Sequence, residues 1–297
     1  MDELTPSGSP DDAYRIRWEE FAPRLAVAAD VDADWYASVA AQLVSPVDRL
    51  AVDIGCGAAG MAVALAGALP AGRVLAVDSD PAVLDAARAH LPSTGPVPVE
   101  LVMADLDGDL SGVSAALGAP ADLVWASASV HHAGDQQRAI DALAGLLGPG
   151  GRLALAEGGL PTRCLPWDLG VGPPGLEQRL DDAQGRWFAQ MRGRLPGTVR
   201  MPYGWTEALR RAGLTAVSTR SWLLEAPTPL STSDRAHVVG ELAFRVDRLR
   251  PVELLAPDDL VAWDRLLDED DPDWLGARDD LYRLTARSVH TGVRVPT

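Results

Sequence analysis

The sequence predicts an α/β protein built on an open, mostly parallel sheet with helices on both faces, and three observations carry that expectation. From Leu50 onward, short apolar runs alternate with Ala-rich segments of helical spacing. Strands joined through helices need right-handed crossovers, hence parallel neighbours covered on both sides. The runs end in small or acidic residues, and the first passes into a glycine-rich turn, Gly55-Cys56-Gly57-Ala58-Ala59-Gly60. Ligands of open α/β sheets bind beyond the carboxyl ends of the strands, so those residues mark the side where a site is expected.

The elements follow in order. The first dozen residues, rich in Pro, Ser, Gly and Asp, read as a loose tail. Helices are expected at about 14–29 and 32–44, where Trp18, Phe21 and Leu25, then Trp35, Val39 and Leu43, repeat on one face. Strands are expected at 50–54, 73–77, 99–104, 122–126 and 152–156, with helices at 60–69, 81–90 and 136–147 between them. After Glu157 a stretch rich in Gly, Pro and Trp (158–175) precedes a helix at 176–194, a helix at 205–212 ended by Gly213, and a strand at 216–225. The tail from 233 to 287 reads as helical and acidic, broken by Pro251, Pro257 and Pro272.

Composition removes several function classes. Forty-two acidic residues stand against 26 basic ones, all arginine, for a net charge of −16 over 297 residues. Polyanion binding relies on clustered cations, so no nucleic-acid partner is expected. The longest apolar stretch, 61–69, is far short of the ~20 residues a membrane helix needs, and the polar, acidic beginning does not read as an export signal. A cytoplasmic protein with no membrane partner is expected. Two cysteines, Cys56 and Cys164, suit a reducing compartment and offer no zinc-ligand spacing, so no metal is expected either.

The chemistry concentrates at the strand ends. Glycines at 55 and 57 let the backbone turn sharply and bring N–H groups and a helix N-terminus against a ligand. Alone they suit a dinucleotide, but Asp53, two residues before the first glycine, would repel a pyrophosphate and attract a cation. Asp78, eighteen residues after Gly60, ends the second strand, where a carboxylate can accept from both ribose hydroxyls. Asp105 sits one strand further out, with Asp107 and Asp109 close behind. Three acids at consecutive strand ends outline a ligand with a positive end, a ribose and a base.

On these residues the chain resembles the class I S-adenosylmethionine-dependent methyltransferases. The resemblance runs from about 50 to 159 and rests on DIGCGAAG (53–60), VLAVDSDP (74–81), MADL (103–106), ADLVWASASVHH (121–132) and LLGPGGRLALAE (146–157). It implies a Rossmann-like sheet of seven strands with its last pair antiparallel. It also implies S-adenosylmethionine as cofactor and S-adenosylhomocysteine as product. Asp53, Gly55, Cys56 and Gly57 would hold the methionine part, Asp78 with Ser79 the ribose, and Asp105 with Leu106 the adenine, with Ser127 on the same side. The family usually carries glycine two residues after the second motif glycine, where this chain has Ala59 and delays the glycine to Gly60. The implied organisation is a tail and helical cap (1–45), a cofactor-binding core (46–160), and a region adding acceptor-binding residues, the last strands and a helical tail (161–297).

Methyl transfer is an in-line displacement, so catalysis is mainly a matter of alignment, with a base needed only where the acceptor keeps its proton. His131 and His132, just after the fourth strand, are the candidate bases, and Glu157, Tyr203 and His237 are weaker ones. Trp167, Trp187 and Tyr203 are the candidate acceptor-binding aromatics. The expected acceptor is a small molecule or peptide, such as a secondary metabolite or modified peptide. Two alternatives are a nicotinamide-dependent oxidoreductase, which Asp53 opposes, and a non-catalytic S-adenosylmethionine-binding partner subunit. Neither the methylated atom nor the oligomeric state follows from the residues.

Overall fold

Seven strands form one sheet: β1 (Leu50–Ile54), β2 (Arg73–Asp78), β3 (Val99–Met103), β4 (Ala121–Ser127), β5 (Leu147–Arg163), β6 (Leu214–Ala226) and β7 (Arg283–Arg294). Their order is β3-β2-β1-β4-β5-β7-β6 in this computed structural model, which describes residues 12–295. The expected N-terminal tail lies almost wholly outside those residues. The pairs β1–β2, β1–β4, β2–β3 and β4–β5 are parallel. Side-chain bonds from Ser218 to Thr291, Thr219 to His290 and Ser221 to Ser288 step in opposite directions along β6 and β7, so that pair is antiparallel.

Ten α-helices accompany the described strands: α1 (Trp18–Val31), α2 (Ala33–Leu43), α3 (Gly60–Ala68), α4 (Pro81–His90), α5 (Ser111–Leu117), α6 (Gln136–Gly145), α7 (Leu176–Gly193), α8 (Trp205–Arg211), α9 (Thr232–Leu249) and α10 (Pro257–Leu267). Local chemistry explains their starts. Asp80 accepts from the N–H groups of Ala82 and Val83 ahead of α4, whose first residue is Pro81, and Asp135 accepts from Arg138 N–H ahead of α6.

The chain divides into two compact units. One comprises 17–158, 196–221 and the described residues from Arg287 on. The other comprises the described residues up to Ile16, Gly159–Leu195 and Trp222–Ala286. In the first, side chains alternate across the sheet: Val52, Ile54, Leu75, Val77, Leu153 and Leu155 pack with Val113, Leu117, Ile140, Leu143 and Leu209 from α5, α6 and α8. Asp53 points to the opposite face, where α3 lies. The second unit has its own core, with Leu180 and Trp187 of α7, Val238, Leu242 and Val246 of α9, and Trp263 and Leu266 of α10.

Three differences from the sequence expectation have physical causes. β5 is far longer than 152–156, because it continues through Gly158 and Gly159, whose positive φ angles the sequence reading takes for a loop. Residues 283–287, expected as helix, open β7, whose polar residues (Thr285, Ser288, His290) hide a strand between partners. No element was expected at 111–117, where the short α5 places Val113 and Leu117 in the core.

The delayed glycine also has a reason. Ala59, wholly buried, takes a left-handed φ of 63°, the conformation a glycine would adopt without strain. Gly60 is needed for closeness instead: a Cβ there would lie 3.0 Å from Ala29 Cβ and 3.0 Å from the Tyr36 ring. Gly60→Ala is therefore expected to lower unfolding free energy by about 1–3 kcal/mol through overpacking. Ala59→Gly is expected to be neutral or stabilising by up to ~1 kcal/mol, since relief of strain offsets the entropy of glycine. Denaturant titration of both variants checks the pair, and the reverse order of stability would contradict the packing described.

Candidate cofactor and methyl-transfer site

The first unit brings the carboxyl ends of β1, β2 and β4 together with Glu157 of β5, and the acids there accept from backbone N–H groups of a loop or helix start. Asp53, on β1, is buried, and its Oδ2 accepts from Ala62 N–H at 2.9 Å in the first turn of α3. Burial pushes its carboxyl up to about 8; the Ala62 bond opposes that shift and nearby Asp78 adds to it. Asp53 thus stabilises the helix start while holding a latent charge that a cation would draw out.

Asp78 joins two loops. Its Oδ2 accepts from Gly57 N–H at 3.2 Å, and its Oδ1 accepts from Ser79 at 2.8 Å and Asp80 at 3.2 Å. Burial raises its carboxyl above the ordinary range, against the pull of those backbone bonds. Gly55 (φ 62°) and Gly57 (φ 54°) shape the turn between them. A Cβ at Gly55 would meet Ser129 Cβ at 2.4 Å, so the β1 and β4 loops approach as closely as backbone permits. Leu25 of α1 lies 3.9 Å from the Cβ position of Gly57, placing that helix beside the glycine turn.

This cradle fits a nucleoside carrying a cation. Backbone N–H groups hold the Asp78 carboxylate at the rim, where the lone pair left on Oδ2 can take a ribose hydroxyl. Asp53 lies behind the turn, and any positive group brought near favours its ionised form. Asp105 is exposed after β3, its Oδ1 accepting from Asp107 N–H at 2.9 Å. Asp107 instead ties its loop to Gly134 N–H, at 2.9 and 3.0 Å. Leu106 and Asp107 line a small open depression with Arg138 and Pro196. Ser79 is exposed beside Asp78, and Ser127 ends β4. Cys56 is buried, and desolvation with Asp53 and Asp78 pushes its thiol up, so it stays neutral and packs rather than reacts.

Beyond β4 the chain turns through Ala128 (φ 47°) into a short 3-10 turn, Val130–His132. Buried Glu157 of β5 caps that turn. Its Oε1 accepts from Ser129, Val130 and His131 N–H at 3.1, 2.9 and 3.4 Å, and its Oε2 lies 2.7 Å from His131 Nδ1. The two imidazoles sit 4.1 Å apart, and Trp18 of α1 meets His132 edge-on at 5.6 Å. Behind Glu157, His290 Nε2 donates to its backbone carbonyl at 3.0 Å while the Thr219 hydroxyl meets His290 Nδ1 at 2.7 Å; burial lowers the His290 pKa. Glu157 is thus more central than the sequence reading makes it, because its partners lie 26 to 28 residues back along the chain.

The aromatic candidates divide between the two units, Trp167 and Trp187 in one and Tyr203 in the other. Trp187 is buried in the second unit's core, its indole donating to Ala13 O at 3.1 Å and its ring stacked with Tyr14. Its packing accounts for its presence. Trp167, in the same unit, is 64% exposed and covers Gly175, where a Cβ would lie 2.7 Å from the indole. Tyr203, in the first unit, donates to Gln137 Oε1 at 3.0 Å and carries the Arg211 guanidinium over its ring at 4.0 Å.

Residues 52–153 match the sequence model of a methyltransferase domain, over the stretch that builds this cradle. Over those residues the chain is similar to the class I S-adenosylmethionine-dependent methyltransferases, which favours S-adenosylmethionine over a nicotinamide cofactor. It is similar to a trans-aconitate 2-methyltransferase of Methylobacterium radiotolerans, 32% identical over 161 residues, covering 48% of this chain and 55% of that protein. A second, from Paracidovorax citrulli, is 35% identical over 104 residues, covering 35% and 36%. The chain thus spans about half the length of the first relative and about a third of the second. Among solved structures, an O-methyltransferase family protein from Burkholderia thailandensis aligns with 17% identity and a TM-score of 0.48, covering 93% of this chain and 59% of that one. Haemonchus contortus phosphoethanolamine N-methyltransferase 2, solved with S-adenosyl-L-methionine, aligns with 14% identity and a TM-score of 0.45, covering 89% and 53%.

The buried charge of Asp53 has a measurable sign. Its folded carboxyl titrates near 8 rather than near 4, so between those values the folded protein holds a proton the unfolded chain has lost. Stability from this group is therefore full below about pH 4 and is lost as pH rises to about 8. Asp53→Asn should remove that loss, its stability advantage over the wild type growing by on the order of 1 kcal/mol per pH unit up to about pH 8. Thermal unfolding at several pH values checks it, and a pH-independent difference would refute the assignment.

Proposed function

We propose that the protein transfers a methyl group from S-adenosylmethionine to a small-molecule acceptor whose reacting oxygen or nitrogen keeps a proton. The observation that carries this reading is the His131–Glu157 pair at the end of β4, beside the glycine turn. When bound, S-adenosylmethionine supplies a methyl carbon on a sulfonium, whose departure as a neutral thioether needs no acid. Asp78 would hold the ribose, and Asp105 with Leu106 would edge the base. Gly55 and Gly57 would admit the ligand against the backbone, and Asp53 would favour its positive end. His131 would take the acceptor's proton as the acceptor lone pair forms its bond to the methyl carbon.

The acceptor class draws support from composition and from kinship. A net charge of −16 disfavours polyanionic macromolecules. The two curated relatives carry the name of a small organic acid as their acceptor. Kinship favours a second reading, methylation of such a carboxylate, which needs no base. Incubating the protein with S-adenosylmethionine and trans-aconitate, and separately with small phenols, alcohols and amines, separates the two by the methylated product. Under the first reading His131→Ala lowers turnover on the order of 100-fold, whereas carboxylate methylation would leave it nearly unchanged. No product with any acceptor would point to a non-catalytic partner subunit.

The cofactor half is tested separately. Asp78→Ala is expected to weaken S-adenosylhomocysteine binding by roughly 1.5–3 kcal/mol through lost hydrogen bonds to a charged acceptor. Calorimetry reads this directly, and unchanged affinity would remove Asp78 from the ribose role.

A further inference from the structure

We propose that Glu157 is a positioning residue that fixes His131 as its Nδ1–H tautomer, which makes His131 rather than His132 the proton acceptor of the site. This inference rests on the methyl-transfer reading above.

The carboxylate of Glu157 has two oxygens with separate duties. Oε1 collects the backbone N–H groups of Ser129, Val130 and His131, which fixes the side chain against the start of the 3-10 turn. Oε2 is thereby aimed at His131 Nδ1, 2.7 Å away. An ionised carboxylate can only accept, so the ring nitrogen must donate, and in the neutral ring the lone pair then belongs to Nε2. His132 has a different setting, with its ring edge-on to Trp18. The carboxylate also stabilises the imidazolium formed when Nε2 takes a proton, as the third member of a nucleophile–base–orienter set does. The His290 bond to the Glu157 carbonyl holds the strand at the same residue from behind.

Replacing Glu157 by Gln tests this sharply, because an amide has one accepting oxygen. That oxygen is required by the three backbone N–H groups, which turns the NH2 group toward His131 Nδ1. A donor there forces the opposite tautomer, with the proton on Nε2. Nitrogen-15 NMR of the imidazoles, at a pH where the rings are neutral, reads the tautomer without cofactor or acceptor. The wild type should show Nδ1–H at His131, and Glu157→Gln should show Nε2–H while binding S-adenosylhomocysteine within about twofold of the wild type.

With a proton-bearing acceptor, turnover of Glu157→Gln should fall on the order of 100-fold, and adding His131→Ala should cost little more. An Nε2–H tautomer in the wild type overturns the proposal even if the Gln variant does not fold. So does a switched tautomer with unchanged turnover, or a retained Nδ1–H in the Gln variant. If no acceptor is ever methylated, the methyl-transfer reading fails, while the tautomer measurement still decides whether Glu157 orients the ring.

Discussion

Carboxylates of the parallel strands, buried at Asp53 and Glu157 and half-buried at Asp78, organise the functional edge of this protein. Asp53, Asp78 and Glu157 each give at least one oxygen to backbone N–H groups of a loop or helix start. These bonds hold the glycine turn, the β2 loop and the 3-10 turn in fixed places. They leave a cost, because desolvation raises Asp53 and Asp78 above the ordinary carboxylate range. A ligand with positive charge relieves that cost. The same groups that fold the loops therefore set the sign of charge the site prefers.

Close approach is the second constraint. Gly55 lets the first loop touch Ser129, and Gly60 lets α3 meet Ala29 and Tyr36. Ala59 takes the left-handed conformation between them, so strain sits in the middle of the turn rather than at its edges. The helices ahead of the sheet belong to the same arrangement: Leu25 approaches Gly57 and Trp18 meets His132.

Much of this was legible in the residues. β1 matches its expected bounds, β2 differs by one residue at one end and β4 by one residue at each end, because buried parallel strands leave continuous apolar runs. Asp53 and Asp78 were legible because their spacing from the glycines is local. β7 was not, since its strand character depends on partners far along the chain rather than on apolar alternation. The preference for His131 over His132 was equally hidden, because it rests on a side chain 26 residues later. Trp187 was read as a wall for a ligand when its indole is tied to Ala13 within a core. Composition cannot distinguish those two uses of a tryptophan.

The central claim is that the buried acid behind the glycine turn receives a cationic ligand, and proton counting tests it most directly. With Asp53 titrating near 8, most of it is protonated at pH 7, and a positive ligand must displace part of that proton. Calorimetric titration with S-adenosylmethionine at pH 7, in two buffers of different ionisation enthalpy, measures the protons exchanged. A net release that disappears in Asp53→Asn is the predicted result. Binding with no proton exchange, or with the same exchange in that variant, would contradict the account.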